Sequence, residues 1–264
     1  MHFGRIALSA ALALCAPALA QWLKYPTPGI PRLPDGKPNL NAPAPHTAAG
    51  HPDLSGIWEP ERGPCPPTGI SACGEFANIG VRLPGGLPHQ PWAAELVKKR
   101  MADLGKDDPI AWCKPSGALR LLTFPLYRKI IQVPAVTVIL SERDVTYRQI
   151  FTDGRPLPND PSPNWNGYSV GKWQGDVLVV ETVGFRDDTW LDRNGNPMME
   201  GAKMTERFRR TNYGNLEIQV TVDDPKAYTK PWTVLLRQRL VTDTELLDYF
   251  CNDNERDSAH AVGK

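Results

Sequence analysis

The feature that most constrains the fold is a change of hydrophobic period after Tyr127, from helical spacing to alternation at every second residue. The clearest case is Leu216–Val222, where large aliphatic residues alternate with Glu, Gln and Thr. Such alternation is typical of strands with one buried face. The predicted strands are Leu54–Trp58, Tyr127–Val133, Val136–Ser141, Val145–Thr152, Tyr168–Trp173, Val177–Val183, Met204–Arg210, Leu216–Val222, Trp232–Val241 and Leu246–Cys251.

Short links join most of these strands, which favours an antiparallel up-and-down arrangement. Closure into a barrel of about eight to ten strands would remove the exposed sheet edges. We therefore predict a mainly β protein with one barrel domain over residues 54–264 and an irregular or helical insertion at about 60–125. Within that insertion, Pro91 opens a predicted helix at Trp92–Leu104 with one apolar face.

The N-terminus is typical of a secreted protein. A basic start, an apolar stretch and Ala18-Leu19-Ala20 predict a signal peptide over residues 1–20, cleaved after Ala20, and export to the periplasm or beyond the cell. Residues 21–53 are rich in proline, which predicts an extended arm. The sequence identifies no protein partner for this arm. No later apolar run is long enough for a transmembrane helix.

Charge and motifs exclude several classes of partner and cofactor. The chain of 264 residues has 30 Lys and Arg against 29 Asp and Glu, so we expect no nucleic-acid binding. It lacks the glycine-rich motifs of nucleotide-binding proteins, and we predict no cofactor. The acidic residues at 187–194 do not match an EF-hand loop, and no CxxC is present, so no metal site is predicted.

Four cysteines follow the predicted signal peptide, and an even number suits an oxidising compartment. Three pairings are possible. We favour Cys65–Cys73, which would close a short loop, together with Cys113–Cys251, which would tie the end of the chain to the segment before the main sheet.

The predicted strand order places three long connections at one end of the barrel. These are Thr152–Gly167, Gly184–Lys203 and Asp223–Pro231, whereas the other end receives short turns. Barrel mouths hold ligands in many proteins, and loops on rigid scaffolds carry many functional residues. We therefore predict a ligand site at the mouth formed by these long loops.

The long loops combine aromatic rings with charged groups. Aromatic side chains stack on flat ligand faces, and charged groups bind hydroxyls or carboxylates, so this composition suits a sugar or a polar aromatic molecule. The same residue types also order long loops without binding anything. The candidate ligand-binding residues are Asp153, Arg155, Trp165, Tyr168, Trp190, Asp192, Arg193, Glu200 and Tyr228.

Carboxylates near the predicted mouth are candidate catalytic groups. Glu206 alternates in phase with Phe208, so an inward Phe208 implies an inward Glu206. Glu181 could be its cross-strand neighbour, and two close carboxylates would supply an acid and a base. Two alternatives remain open: Glu181 faces solvent, or an arginine inside the barrel holds Glu206. Asp187 and Asp188 are further candidates for this acid and base chemistry.

The sequence resembles two groups of proteins. Gly56-Ile57-Trp58 is similar to the Gly-x-Trp opening strand of lipocalin-like barrels, in which the tryptophan closes one end of the barrel. Several segments together resemble an uncharacterised family of secreted bacterial proteins, which implies a lipocalin-like barrel and no established reaction. These segments are PDLSGIW at 52–58, FTDGRPLP at 151–158, GYSVGKW at 167–173, TWLD at 189–192 and TERF at 205–208.

Three functions are compatible with this sequence. The first is an exported barrel that binds a polar aromatic or sugar-like small molecule at the long-loop mouth. The second is a lyase, isomerase or hydrolase that needs no cofactor and uses carboxylate acid and base chemistry at the same mouth. The third is a structural, envelope-associated protein. The first is our preferred prediction.

Overall fold

The computed structural model describes residues 25–61, 63, 74–143 and 145–251. It shows a mainly β protein with a closed barrel of nine strands and a few short helices. The barrel strands are β1 (Gly56–Pro60), β2 (Arg128–Val133), β3 (Val136–Ser141), β4 (Tyr147–Phe151), β5 (Tyr168–Gln174), β6 (Val177–Val183), β9 (Lys203–Arg210), β10 (Asn215–Asp223) and β11 (Trp232–Val241). A separate two-stranded sheet consists of β7 (Thr189–Trp190) and β8 (Pro197–Met198). The helices are α1 (Gly74–Ala77), α2 (Pro91–Ala102), α3 (Ala118–Thr123) and a 3-10 helix at Pro109–Trp112.

The strand order around the barrel is β1-β11-β10-β9-β6-β5-β4-β3-β2, and β1 pairs with both β11 and β2. All barrel pairs are antiparallel except β4–β5, which is parallel, so the predicted purely up-and-down order is wrong at this step. The reason is the connection 152–167, which is long enough to return β5 in the same direction as β4.

The predicted last strand, Leu246–Cys251, is also wrong. This segment forms one isolated bridge, between Tyr249 and Arg143. Since β1 lies between β11 and β2 and closes the barrel, no neighbouring strand edge remains for a further strand after β11.

The two ends of the barrel differ in what covers them. The end that carries the turns 134–135, 175–176 and 211–214 is called the arm end here, because residues of the N-terminal arm pack on it. The end that carries 61–127, 184–202 and 224–231 is called the loop end. The antiparallel pairing of β3 with β4 places their connection at the loop end as well, although the predicted strand order placed the turn Glu142–Asp144 with the short turns at the opposite end.

Alternating side chains fill the barrel interior, as the period of two predicts. Along β9, β10 and β11 every second residue is buried, including all four aliphatic residues of Leu216–Val222. Large side chains that are less than 2% exposed include Trp58, Phe208, Arg128 and Arg148. The interior is therefore a packed core.

Trp58 closes the arm end of the barrel. Its side chain is fully buried, its indole nitrogen donates a hydrogen bond of 3.0 Å to the carbonyl oxygen of Leu54, and the Arg210 guanidinium lies 5.0 Å from its ring. Gly56 has φ +142°, and a Cβ added there would lie 2.6 Å from Leu240 Cδ1. The Gly-x-Trp pattern thus has a packing reason, since only glycine leaves room at this corner.

The described part of the N-terminal arm packs on this same end. The backbone nitrogens of Tyr213 and Gly214 each donate a hydrogen bond of 2.8 Å to carbonyl oxygens of Ala42 and Leu40. Farther back along the arm, Arg32 forms an ion pair of 2.9 Å with Asp243. The arm therefore covers the barrel even though its prolines exclude regular structure.

The insertion before β2 closes the loop end. All six residues of α3 are buried, and Gly117 before it has φ +79°, with Trp165 O and Thr189 Cγ2 about 3 Å from where a Cβ would lie. Arg120 of α3 makes two hydrogen bonds of 2.7 Å with Asp108. The mouth expected at this end is therefore filled by protein. The predicted helix at Trp92–Leu104 is present as α2, which ends at Ala102. Its predicted apolar face is wrong, since Trp92, Met101 and Leu104 are exposed.

The predicted disulfide Cys113–Cys251 is confirmed, with a Cα–Cα distance of 5.4 Å. A disulfide suits an oxidising compartment. The predicted pair Cys65–Cys73 and the signal peptide at residues 1–20 lie outside the described residues. Among the helices that the structure describes, none has the length and apolar character needed to span a membrane.

Candidate functional site

The Glu206 carboxylate is fully buried inside the barrel and is held by Arg148. Arg148 Nη1 donates a hydrogen bond of 2.8 Å to Glu206 Oε1, and Arg148 Nη2 contacts Glu206 Oε2. The same guanidinium also donates to the hydroxyls of Thr182, at 2.9 Å, and Ser169, at 3.1 and 3.2 Å. Glu206 is thus the acceptor of a buried ion pair, which is one of the two alternatives left open by the sequence.

Glu181 does not meet Glu206. Its side chain is exposed on the outside of the barrel, because the inward row of β6 consists of Leu178, Val180 and Thr182. In the strand register Val180 is opposite Glu206, and both side chains point into the barrel. Because successive side chains of a strand alternate between faces, Glu181 lies on the outer face of the wall, away from Glu206. The predicted pair of neighbouring carboxylates is therefore wrong.

Asp187 and Asp188 lie in the loop after β6, and both accept hydrogen bonds. Asp188 accepts from Arg186 at 2.8 and 2.9 Å, and these bonds hold its pKa below the usual value. Asp187 accepts from the backbone nitrogen of Glu200, which orders the loop. The two carboxylates therefore have structural partners at the loop end.

Three of the predicted ligand-binding residues form a cluster on the outer wall. Arg155 donates to both carboxylate oxygens of Asp153 and, at 3.2 Å, to the hydroxyl of Tyr168, and its guanidinium lies 3.9 Å from the ring of Phe151. The hydrogen bond from Arg155 lowers the pKa of Asp153. Asp153 and Arg155 are exposed and satisfy each other, so this cluster joins the 152–167 connection to β5.

The remaining predicted residues gather at the loop end but differ in exposure. Trp190, Asp192 and Tyr228 are buried, whereas Arg193 and Glu200 are exposed. Trp165 is half-buried, and Arg186 lies 4.8 Å from its ring. Glu200 lines a pocket of about 350 Å³ between the segments 157–163 and 200–203.

A chain of polar groups runs from buried Asp192 toward the surface. Asp192 accepts hydrogen bonds from the backbone nitrogen of Ile79 at 2.7 Å and from Asn196 Nδ2 at 2.5 Å. Burial raises its pKa, although these donors favour the ionised form. Asn196 Oδ1 lies 2.6 Å from Nε2 of the half-buried His89. Because an amide oxygen only accepts, His89 Nε2 must carry a proton, which leaves Nδ1 as the acceptor nitrogen in the neutral ring.

Tyr228 packs beside this chain, with its ring 5.5 Å from that of His89. Its hydroxyl donates a hydrogen bond of 2.8 Å to the carbonyl oxygen of Pro197, and burial raises its pKa well above the usual value. His89 and Asn196 were not predicted as site residues from the sequence. They are separated by 107 positions, and no motif connects them.

A cleft of about 280 Å³ opens at the loop end between α2, the 3-10 helix and β7. One wall carries Trp112, which is 59% exposed and whose indole nitrogen donates a hydrogen bond of 3.0 Å to the carbonyl oxygen of Lys106. Six charged residues also line the cleft: Lys99, Arg100, Lys114, Asp103, Asp107 and Asp188. The cleft includes two of the predicted site residues, Asp188 and Trp190.

Arg100 and Trp190 form the inner part of this cleft. The Arg100 guanidinium lies 4.3 Å from the centre of the Trp190 ring, and its Nη1 donates a hydrogen bond of 2.6 Å to the carbonyl oxygen of Gly195. Burial lowers the pKa of Arg100. A partly desolvated cation that lines the same cleft as the exposed indole of Trp112 is a combination that can bind a polar ring compound.

In the part of the chain that the structure describes, no group of three or more His, Cys, Asp or Glu side chains is arranged to hold a metal ion. The chain matches no protein-family model, and no curated protein matches its sequence.

Proposed function

We propose that this protein binds a small polar ring compound, aromatic or sugar-like, in the cleft beside Trp112. The observation that carries this proposal is the exposed Trp112 indole, which is fixed by its hydrogen bond to Lys106 and faces charged side chains of both signs. A fixed indole offers a flat apolar surface without a large loss of side-chain entropy on binding.

The dimensions of the molecule support a site outside the barrel. The interior is occupied by large side chains and by the Arg148–Glu206 pair, and α3 fills the loop end. The cleft volume of about 280 Å³ is near the lower limit for small-molecule pockets, which are commonly about 300–1,000 Å³. A ligand with a single substituted ring fits this size.

A thermal-shift screen of the mature protein against sugars, phenolic acids and fatty acids tests this proposal. We expect a sugar or a phenolic compound to raise the melting temperature, and Trp112→Ala to abolish that shift. Trp92→Ala is the matched control, because Trp92 is 44% exposed and its indole also donates to a lysine carbonyl, at 2.8 Å, outside the cleft. No stabilising compound, or equal loss of the shift in both variants, would contradict the proposal.

We further propose that the protein is an exported, lipocalin-like barrel. This proposal is supported by the closed barrel, by Trp58 at its arm end and by the Cys113–Cys251 disulfide. Mass spectrometry of the protein secreted by its natural host tests it: we expect a mature chain that begins at Gln21. A retained N-terminal segment would contradict this cleavage site.

A second candidate function is favoured by the chain from His89 to Asp192. In this alternative the protein is an acid–base enzyme in which His89 Nδ1 accepts a proton, while Asn196 and Asp192 position the ring. This replaces the predicted role of Glu206, whose carboxylate is engaged by Arg148.

Mass spectrometry of each mixture in the screen distinguishes the two functions. An enzyme converts a compound, and His89→Gln should then abolish conversion while His46→Gln, at the arm end, does not. Recovery of every stabilising compound unchanged would contradict the enzyme alternative and would leave the binding proposal in place.

A further inference from the structure

We propose that the ligand of the Trp112 cleft carries a carboxylate, which Arg100 binds, on a ring with hydroxyl groups. This inference rests on the proposed function, since it names the chemical class that the same cleft selects. It follows from the partners of the charged groups that line the cleft.

Arg100 has fewer hydrogen-bond acceptors than four buried arginines of this protein, Arg120, Arg128, Arg148 and Arg210. Arg148 and Arg120 each have a carboxylate partner, and the guanidinium of Arg128 donates to three carbonyl oxygens and to Gln238. Arg210 likewise donates to carbonyl oxygens of three residues. Arg100 has one hydrogen bond, to Gly195, and no ion pair among the described residues.

This shortage of acceptors has an energetic consequence. Burial already disfavours the charged form of Arg100 and lowers its pKa, and the negative charges of Asp108 and Asp107, together with the face of Trp190, offset only part of that cost. An incoming carboxylate would accept two parallel hydrogen bonds from a guanidinium, which is the strongest pairing available to this side chain. The bond is favoured further because Arg100 itself is half-buried.

The other charged residues of the cleft supply both cationic and anionic groups. Lys99 and Lys114 line it and form no ion pair among the described residues, while Asp188 is paired with Arg186, and both Arg186 and Lys114 lower the pKa of Asp188. Asp103 and Asp107 form no ion pair within the described ranges, although the charge of Asp107 acts on Arg100, and their carboxylates are able to accept hydrogen bonds from hydroxyl groups of a ligand. The site therefore suits an anionic group and hydroxyl groups on one ring, with Trp112 against its face.

Isothermal titration calorimetry with two pairs of compounds tests this inference. The acids are 4-hydroxybenzoate and D-glucuronate, and their neutral counterparts are 4-hydroxybenzyl alcohol and D-glucose. We expect one acid to bind at least roughly tenfold more tightly than its neutral counterpart, since a charged hydrogen-bonded pair contributes more than a neutral one. Which acid binds distinguishes an aromatic ligand from a sugar acid.

Variants identify the group that selects the acid. Arg100→Gln should remove the preference for the acid, and Arg100→Lys should restore part of it because the positive charge returns. Lys99→Gln should weaken acid binding. Its matched control is Lys98→Gln, since Lys98 is on the neighbouring helix position, pairs with Glu95 and is absent from the cleft lining.

The outcomes separate this inference from the proposed function. Equal affinity for acids and neutral counterparts, with binding still dependent on Trp112, would overturn the carboxylate inference and retain the binding function. Binding of none of the four compounds, or binding that Trp112→Ala does not alter, would overturn both.

Discussion

At the scale of single residues, the interior of this barrel shows how a charge can be kept away from water. Arg148 is 1% exposed and Glu206 is fully buried, yet all three guanidinium nitrogens of Arg148 donate hydrogen bonds. A buried pair of this kind contributes little relative to an apolar core, but the loss of one partner leaves an uncompensated charge. Glu206 is therefore a structural residue whose removal should affect stability first.

Glu206→Gln should lower the free energy of unfolding by about 3–5 kcal/mol, because Arg148 then lacks its counter-charge. Urea denaturation measures this change. Glu181→Gln is the control, since it removes the same charge from the outer face of β6 and should alter stability by about 0.5 kcal/mol or less. Similar stability of the two variants would contradict the structural role of Glu206.

The buried carboxyl of Asp192 makes the free energy of unfolding depend on pH. Because burial raises its folded-state pKa above the usual value of an aspartate, folding favours its protonated form. The stability that this group contributes is complete below its unfolded pKa and is lost as the pH rises through its folded pKa. The unfolding free energy of the wild type minus that of Asp192→Asn should therefore fall as the pH rises above about 4. A difference that rises with pH would contradict the assignment.

At the scale of elements, β1 closes the barrel by pairing with β11 and β2, and its first residue, Gly56, must be glycine. Gly56→Ala should destabilise the protein by about 1–3 kcal/mol or more, because the new methyl group meets Leu240 and the backbone has positive φ. Gly175→Ala is the control, with φ +59° and no atom within 4 Å of the added methyl group. Thermal unfolding measures both. Equal losses would show that strain at positive φ, and not contact with Leu240, governs this position.

Element positions were largely predictable from the sequence, whereas their connections were less so. Alternation located β9, β10 and β11, and Pro91 marked the start of α2, because burial of one face imposes a period that local sequence records. The parallel β4–β5 pair was not predictable, since a long connection permits either direction. Leu246–Cys251 has strand-like residues, but β1 already occupies the position that a further strand would need.

The candidate site was harder to predict than the fold, because its contacts join distant parts of the chain. Trp190 and Asp188 were recognised from loop composition, and both line the cleft. Arg100 and Trp112 were not recognised, because they belong to the insertion and meet the 184–202 loop only in three dimensions. The phase of alternation along β6 was ambiguous, which is why Glu181 was assigned to the wrong face.

At the scale of the whole molecule, the disulfide Cys113–Cys251 connects the insertion to the segment after β11 across 138 positions. Cys113→Ser should lower the free energy of unfolding by about 2–5 kcal/mol, since the cross-link restricts the unfolded chain. Urea denaturation measures this loss, and wild-type protein under reducing conditions should match the variant. An unchanged midpoint would contradict a stabilising disulfide.

Both ends of the barrel are covered, by the arm with Trp58 at one end and by α3 at the other, and the interior is packed. The molecule therefore differs from a barrel that holds its ligand inside. The ligand site that we propose is instead the cleft on the outer side of the covering insertion, where Trp112 is exposed and Arg100 has one hydrogen bond.

The most direct test of this location is an NMR titration of the indole N–H signals with 4-hydroxybenzoate. Trp112 and Trp58 mark the two alternatives, since one lines the cleft and the other is buried in the barrel. We expect the Trp112 signal to move saturably while the Trp58 signal stays in place. Movement of the Trp58 signal without movement of the Trp112 signal would place the ligand inside the barrel and contradict the cleft as the binding site.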